Sequence, residues 1–393
     1  MKKRISVIFI LLAFMFTVSC LCNFVTVKTF ADNSVDVLDF KSKAVYLVNP
    51  ETNTVIFEKN QNEKLPIASM CKVMTLLICF DALKSKEISL DELIMVSENA
   101  SSMGGSQVFL ESNAEYLAGD LIKSIVVASA NDACVAMAER LFGSEESFVE
   151  KMNEKARELS MNNTVFTNCT GLPKPGQYSS AKDVAIMYNE LQKYEEYHRF
   201  AKIWTDKIIH PNNRETIITN TNKLSRFYEG CDGGKTGYTS EAGHCLVASA
   251  FRNAMKLICV VISAPDSKTR FFEVSSMFNY GFSNYVNKLM IDNKTPLDIT
   301  VQVQGGKKES VEVVAERPIY IFTKKNEQRN VEIDFNPIEN IKAPLHKGDC
   351  VGELNVYENG IEIYSVKVLA NEDVLTKTYL DVIKDIGKLW GVL

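Results

Sequence analysis

Two short β-branched runs, residues 44–48 and 54–58, flank the turn formers Asn49-Pro50-Glu51-Thr52-Asn53 and predict a β-hairpin. From Ser69 onward the texture changes. Met70, Val73, Met74, Leu76, Leu77, Ile78 and Phe80 leave almost no polar face, so this helix belongs inside a core. Pro66 and Ser69 read as its start. Further helices are predicted over about 118–142, about 146–159 and from Ser180 through Leu191. The last two are separated by a loop, 162–180, rich in turn formers. The stretch 230–239 leads into two apolar runs, 245–250 and 257–262, which predict a strand pair. A helix over about 268–285 closes this part. Hairpin, helices, strands and helix in that order indicate an α+β fold, not repeating βαβ units.

Beyond Pro296 the period becomes two. Ile299-Thr300-Val301-Gln302-Val303-Gln304, Val311-Glu312-Val313 and Val331-Glu332-Ile333-Asp334-Phe335 all alternate. Runs 354–357 and 361–364 are joined through Glu358-Asn359-Gly360, a hairpin signal. Short alternating strands of this kind predict a small all-β sandwich. The tail returns to helical spacing. Leu375, Tyr379, Val382, Ile383, Ile386, Leu389, Trp390 and Leu393 share one face, opposite Lys377, Asp381, Lys384, Asp385 and Lys388. Its charges recur too often for a membrane span, and its greasy face suits the plane of a membrane interface, with docking on its own domain or a partner as the alternative.

The N-terminus orders charge, grease and small residues: Lys2-Lys3-Arg4, an apolar run over 5–22, then Thr29-Phe30-Ala31. That is a secretory signal. The expected organisation is therefore signal 1–31, catalytic domain 32–290, β-sandwich 291–372 and amphipathic anchor helix 373–393. The protein is expected to be exported and to act at the outer face of the cytoplasmic membrane, in the cell-wall space.

Composition narrows the partners. The formal charge of −5 falls to −9 once Lys2, Lys3, Arg4 and Lys28 leave with the signal, which excludes nucleic acid. Of ten cysteines, Cys20 and Cys22 lie in the signal, and the other eight are scattered, with no C-x-x-C pair. They read as small core residues, not as a disulfide framework. Neither they nor the four histidines show metal-ligand spacing, so no metal and no cofactor is expected.

Chemistry enters at Ser69-x-x-Lys72, where serine and lysine sit three residues apart on one helix face. A buried lysine loses its preference for the charged form and can take the serine's proton. Two further motifs follow, Ser129-x-Asn131 and Lys235-Thr236-Gly237. Lys235-Thr236 is not a phosphate loop, because the first glycine of that motif would fall on Glu229. Taken together and in order, the three form the set of penicillin-binding proteins and serine β-lactamases.

The chain resembles, from end to end, a low-molecular-mass penicillin-binding protein, a serine-type D-alanyl-D-alanine carboxypeptidase of spore-forming Gram-positive bacteria. The likeness rests on residues 66–72, Val127-Ala128-Ser129-Ala130-Asn131-Asp132-Ala133, Gly171-Leu172-Pro173, Tyr178-Ser179-Ser180-Ala181, 232–239, Ala242-Gly243 with 246–250, and 343–349. Ala130 stands where glycine is commoner and Cys71 where threonine is commoner. The resemblance implies a β-lactamase/transpeptidase-like catalytic domain with Ser69 as nucleophile, Lys72 as base and Ser129 as a proton relay. It implies substrate contacts from Asn131, Lys235, Thr236, Gly237 and Tyr238, with backbone N–H groups of Ser69 and Tyr238 as the oxyanion hole. Arg270 is either a second carboxylate-binding cation or a solvated helix-start arginine. The implied partners are peptidoglycan stem peptides, β-lactams as covalent inhibitors, and a membrane surface. Three rivals remain: a β-lactamase, a non-catalytic penicillin-binding scaffold and a transpeptidase. Against the first, loop 162–180 lacks the acidic residue a lactamase of the loop-glutamate type uses for deacylation.

Overall fold

The computed structural model describes residues 40–389. The expected signal, Trp390 and Leu393 lie outside the described residues. Strands β1 (Ala44–Asn49) and β2 (Thr54–Lys59) form the expected hairpin. A 3-10 turn, Ala68–Cys71, then leads into helix α1 (Lys72–Lys84). Next come β3 (Leu93–Met95), β4 (Glu115–Leu117), α2 (Ala118–Ala128), α3 (Asn131–Phe142), α4 (Glu145–Glu158), α5 (Ala181–Leu191) and α6 (Glu195–Ala201). The hairpin β5 (Thr205–Ile209)/β6 (Glu215–Thr219) precedes β7 (Cys231–Thr239), β8 (Gly243–Arg252), β9 (Met255–Ala264) and α7 (Ser267–Asn284).

The central sheet is antiparallel, in the order β2-β1-β9-β8-β7, so β7 is an edge. Its two faces divide by strand parity. Tyr46, Val260 and Ile262 join the core around α1. Leu47 and Leu257 meet α7 instead, where a Cβ on Gly281 would lie 2.5 Å from Leu257 Cδ1. Every residue of α1 from Lys72 to Phe80 is buried, as its all-round apolar sequence predicts, and α2, α3, α4 and α5 pack about it.

Three features depart from the sequence reading. Ser69 does not cap a helix: the turn it occupies has no side-chain cap, and the α-helix proper begins at Lys72. The helix expected over 118–142 is two helices. Ser129 turns the chain in the left-handed region (φ 62°) and Ala130 is extended. No glycine or proline marks that corner. It is held by Ala130 N–H to the Ser124 carbonyl at 3.2 Å and Asn131 N–H to the Ser106 carbonyl at 2.7 Å. The third departure is β7, whose glycines at 233, 234 and 237 erase the alternation by which a strand is recognised.

The C-terminal part is all-β. A five-stranded sheet runs in the order β11 (Thr300–Gln302), β12 (Ser310–Ala315), β16 (Ile361–Ala370), β15 (Cys350–Glu358), β14 (Val331–Pro337). Strands β10 (Tyr285–Ile291) and β13 (Ile319–Lys324) make a second sheet. Ile319 and Ile321 of β13 pack with Val313, Val356 and Val368 in one core, giving the sandwich. Asn359 and Gly360 both take positive φ (51° and 79°), as a tight hairpin turn of this kind requires. The boundary expected at residue 290 falls inside β10. The terminal helix begins later than expected; among the described residues α8 is Tyr379–Leu389. Val374 ahead of it is a sandwich residue, buried and bonded through its backbone to Leu345. All eight described cysteines are free, and six are buried, with Cys231 half-buried and Cys350 exposed.

Because α1 is walled in on every side, its packing should dominate the stability of this part. Met74→Ala, at a site with 0% exposure, is expected to cost about 2–5 kcal/mol. Urea denaturation followed by circular dichroism should show the transition moving to lower denaturant.

Candidate active site

Two glycines fix the turn that carries Ser69. A Cβ on Gly171 (φ 80°) would stand 2.1 Å from the Ala68 carbonyl oxygen. One on Gly237 would stand 2.7 Å from the Ile67 carbonyl oxygen and 3.1 Å from Ser69 N. Loop and strand β7 thus press on the turn from two directions, and only residues without a side chain fit. Ala68 accepts a left-handed φ of 47° at the point of contact. Ser69 itself is only partly covered, whereas Lys72 is wholly buried. Lys72 Nζ lies 3.1 Å from Ser69 Oγ and donates to the Thr170 carbonyl at 2.5 Å.

The left-handed corner at Ser129 points its hydroxyl at the second lysine. Lys235 Nζ donates to Ser129 Oγ at 2.7 Å and to the Thr236 carbonyl at 3.1 Å. Ser129 is therefore bonded to Lys235, where the expected relay would have linked it to Lys72. Asn131 Nδ2 donates to the Gly104 carbonyl at 2.7 Å, and its Oδ1 is buried without a protein partner. Lys235 and Thr236 are buried on β7, while Tyr238 is 59% exposed and stacks on His244 with ring centroids 4.3 Å apart. Arg270 is buried, not solvated. Its Nη1 donates to the carbonyls of Gly237 (2.9 Å) and Cys245 (3.3 Å), and its Nε has no protein partner.

All nine expected site residues thus fall on four neighbouring segments: the 3-10 turn running into the first residue of α1, the α2–α3 corner, β7 and the start of α7. Sequence reasoning missed the residues that hold these in place. Asp132 accepts the N–H groups of Val108 and Leu110, both at 3.1 Å, and so ties down the loop against Asn131. Thr170 contributes only a carbonyl, which no side-chain motif can flag. Among the described residues no grouping of His, Cys, Asp and Glu could hold a metal ion.

Burial sets the charges. It pushes the Lys72 amine below the ordinary lysine range. Lys235 is pushed well below that range, by burial first and then by the nearby Lys72 cation. The thiols near Lys72 give no counter-charge. Burial raises Cys71, Cys169 and Cys134, the last to about 12, so all three are neutral at physiological pH. Two buried amines beside a serine, without a facing free carboxylate, form a site that favours one neutral lysine and an incoming anion.

A family model described as D-alanyl-D-alanine carboxypeptidase matches residues 31–266, and one described as penicillin-binding protein 5, C-terminal domain, matches 286–376. The chain is 42% identical over 349 residues to D-alanyl-D-alanine carboxypeptidase DacF of Bacillus subtilis, covering 88% of this chain and 89% of that one. It is 32% identical to D-alanyl-D-alanine carboxypeptidase DacC of Escherichia coli, with coverages of 88% and 87%. Among solved structures, penicillin binding protein 5 from Haemophilus influenzae aligns with a TM-score of 0.66 at 30% identity, covering 87% of this chain and all of that one. A peptidoglycan synthesis regulatory factor (PBP3) from Streptococcus pneumoniae aligns at 0.74 and 26%, with coverages of 86% and 100%.

The close approach at Gly237 makes a clean test of the geometry. Gly237→Ala should fold, yet lose Ser69 reactivity by about 100-fold or more as the turn is displaced. The rate of covalent labelling by a fluorescent β-lactam, read beside the thermal midpoint, measures both.

Proposed function

We propose, since the chain belongs to the D-alanyl-D-alanine carboxypeptidase family, that it removes the terminal D-alanine from peptidoglycan stem peptides through an acyl-enzyme on Ser69. The observation that carries this is the pairing of Ser69 Oγ with a buried amine, Lys72 Nζ, at 3.1 Å. Neutral Lys72 takes the hydroxyl proton as Ser69 Oγ bonds to the carbonyl carbon of the penultimate D-alanine. The peptide C–N bond then breaks, the leaving amine takes the proton that Lys72 had accepted, free D-alanine departs and Lys72 is neutral again. Water cleaves the ester in a second round of the same chemistry.

Lys235 and Thr236 bind the substrate's terminal carboxylate. That negative charge offsets the burial of Lys235 and keeps it cationic, while Lys72, hydrogen-bonded only to neutral groups, stays a base. Ser129, which accepts from Lys235, would relay the Lys72 proton to the leaving amine once the substrate carboxylate draws Lys235 to itself. The N–H groups of Ser69 and Tyr238 receive the oxyanion, and Gly237 is what lets β7 come close enough to the turn for this. Asn131, with an unpartnered buried Oδ1, takes a peptide N–H of the substrate. Arg270 acts from behind, its guanidinium fixed on the Gly237 carbonyl and adding positive charge to the carboxylate subsite. β-Lactams enter the same site and acylate Ser69. A β-lactamase reading is disfavoured because the oxygen that loop 162–180 sets against Lys72 is the Thr170 carbonyl, not a carboxylate.

The catalytic part, the sandwich that begins with β10 and the terminal helix α8 make up an exported enzyme held at the membrane's outer face. Support for the anchor comes from α8, where Tyr379, Leu380, Ile383 and Ile386 are all exposed. Among the described residues no helix is long and apolar enough to cross a membrane.

Incubation with a peptide ending in D-Ala-D-Ala should release free D-alanine, and Ser69→Ala should abolish it. The released amount, measured enzymatically, checks both. Because Lys72 must be neutral to act, kcat/KM should climb with pH through a limb below the ordinary lysine range and fall away as Lys72 protonates. Removing residues 379–393 should free the signal-processed protein from membranes without lowering kcat/KM; fractionation and a peptide assay test the two halves.

A further inference from the structure

We propose that Asn168 is a positioning residue for catalysis, holding the Thr170 carbonyl against the amine of Lys72. The proposal rests on the reading of Ser69 as nucleophile and Lys72 as base. Asn168 is 6% exposed and sits at the centre of loop 162–180. Its Oδ1 accepts the N–H groups of Gly171 (2.7 Å) and Thr170 (3.2 Å), the Thr170 hydroxyl (3.3 Å) and the Gln177 amide (3.3 Å). Its Nδ2 donates to the Leu172 carbonyl at 2.8 Å. One amide side chain thus closes the turn 168–172 on itself.

That turn is fastened to the catalytic helix through three consecutive carbonyls. Asn168 O accepts the Cys71 thiol at 3.3 Å, Cys169 O accepts the Thr75 hydroxyl at 2.6 Å, and Thr170 O accepts Lys72 Nζ at 2.5 Å. The next residue, Gly171, is the one pressed on the Ala68 carbonyl. A single side chain therefore sets both the partner of the base and one wall of the nucleophile's turn.

The consequence is directional. A neutral amine has two N–H groups and one lone pair. Committing an N–H to Thr170 O limits where the lone pair can point, and Ser69 Oγ lies within its reach at 3.1 Å. The other ionisable groups facing Lys72 are Lys235, Asp132 and the thiols of Cys71, Cys134 and Cys169, with Glu145 behind them on the Cys169 N–H. None of these is a hydrogen-bond partner of Nζ among the described residues. Thr170 O is its anchor.

The test compares Asn168→Ala, Asn168→Ser and Asn168→Asp with the unaltered enzyme, using a D-Ala-D-Ala peptide across pH and thermal midpoints to confirm folding. Asn168→Ala should lower plateau kcat/KM about 10- to 100-fold, as expected for a misplaced catalytic group. Its acidic limb should move to lower pH, because a carbonyl that favours the ammonium form has withdrawn. Asn168→Ser, whose oxygen is too short to reach, should behave like alanine. Asn168→Asp keeps the acceptor and should regain most of the plateau, with its limb moved to higher pH by the added negative charge. A plateau unchanged in the alanine and serine variants, or no recovery with aspartate, overturns the proposal. Should alanine fail to fold, the ratio of serine to aspartate decides in the same way. Failure of the parent reading is separate: it would appear as D-alanine release surviving Ser69→Ala or Lys72→Ala.

Discussion

A lysine with no exposure to water stands at the head of a helix that is otherwise hydrocarbon, and most of this structure answers to that placement. Leaving an ammonium unpaired in such surroundings would cost far more than the fold can spare, so burial pushes the amine below the ordinary lysine range. The protein makes that tolerable with a backbone carbonyl and a serine hydroxyl, two neutral partners that satisfy the amine without restoring its proton. The second lysine, across the cleft, is treated in the opposite way. It too is buried, and on the proposed reading a substrate carboxylate meets it. On that reading, two residues of identical chemistry differ in function by which of them meets an anion.

Much of this was legible beforehand, for reasons that can be named. The all-round apolar run after Lys72 forces burial wherever the chain goes, so α1 was readable from composition alone. Hairpins at 44–58 and 358–361 carried their own turn chemistry. Ser69, Ser129 and Lys235 were found because three short motifs in order constrain one another. What stayed hidden was the backbone. Ser129's left-handed corner has no glycine to announce it, and the periodicity of 118–142 runs straight through. The glycines that let β7 approach Ser69 are the same residues that hide β7 as a strand. Arg270 could not be placed from sequence, since its burial depends on carbonyls of two different strands, β7 and β8.

The sandwich and tail follow a different logic from the catalytic part. Their strands carry alternating patterns that are easy to read, because one face packs and the other is wet. Val374 shows the limit of such reading. It lies one residue from the apolar face of the tail, yet backbone pairing with Leu345 draws it into the sandwich core, so the helix begins five residues later. Short-range periodicity does not see a partner twenty-nine residues away.

The burial of the thiols has a practical consequence. Among the described residues six cysteines are sealed in packed surroundings, Cys231 is half-covered, and Cys350 alone stands open on β15. In an oxidising milieu the catalytic part has little that air or a disulfide exchanger can reach, while the sandwich offers one handle. Purified without reductant, the protein has Cys350 as the most accessible route to a covalent dimer among the described residues. A maleimide dye would settle there first, on a strand that takes no part in the chemistry, and would report on where the sandwich goes while leaving the enzyme's own serine untouched.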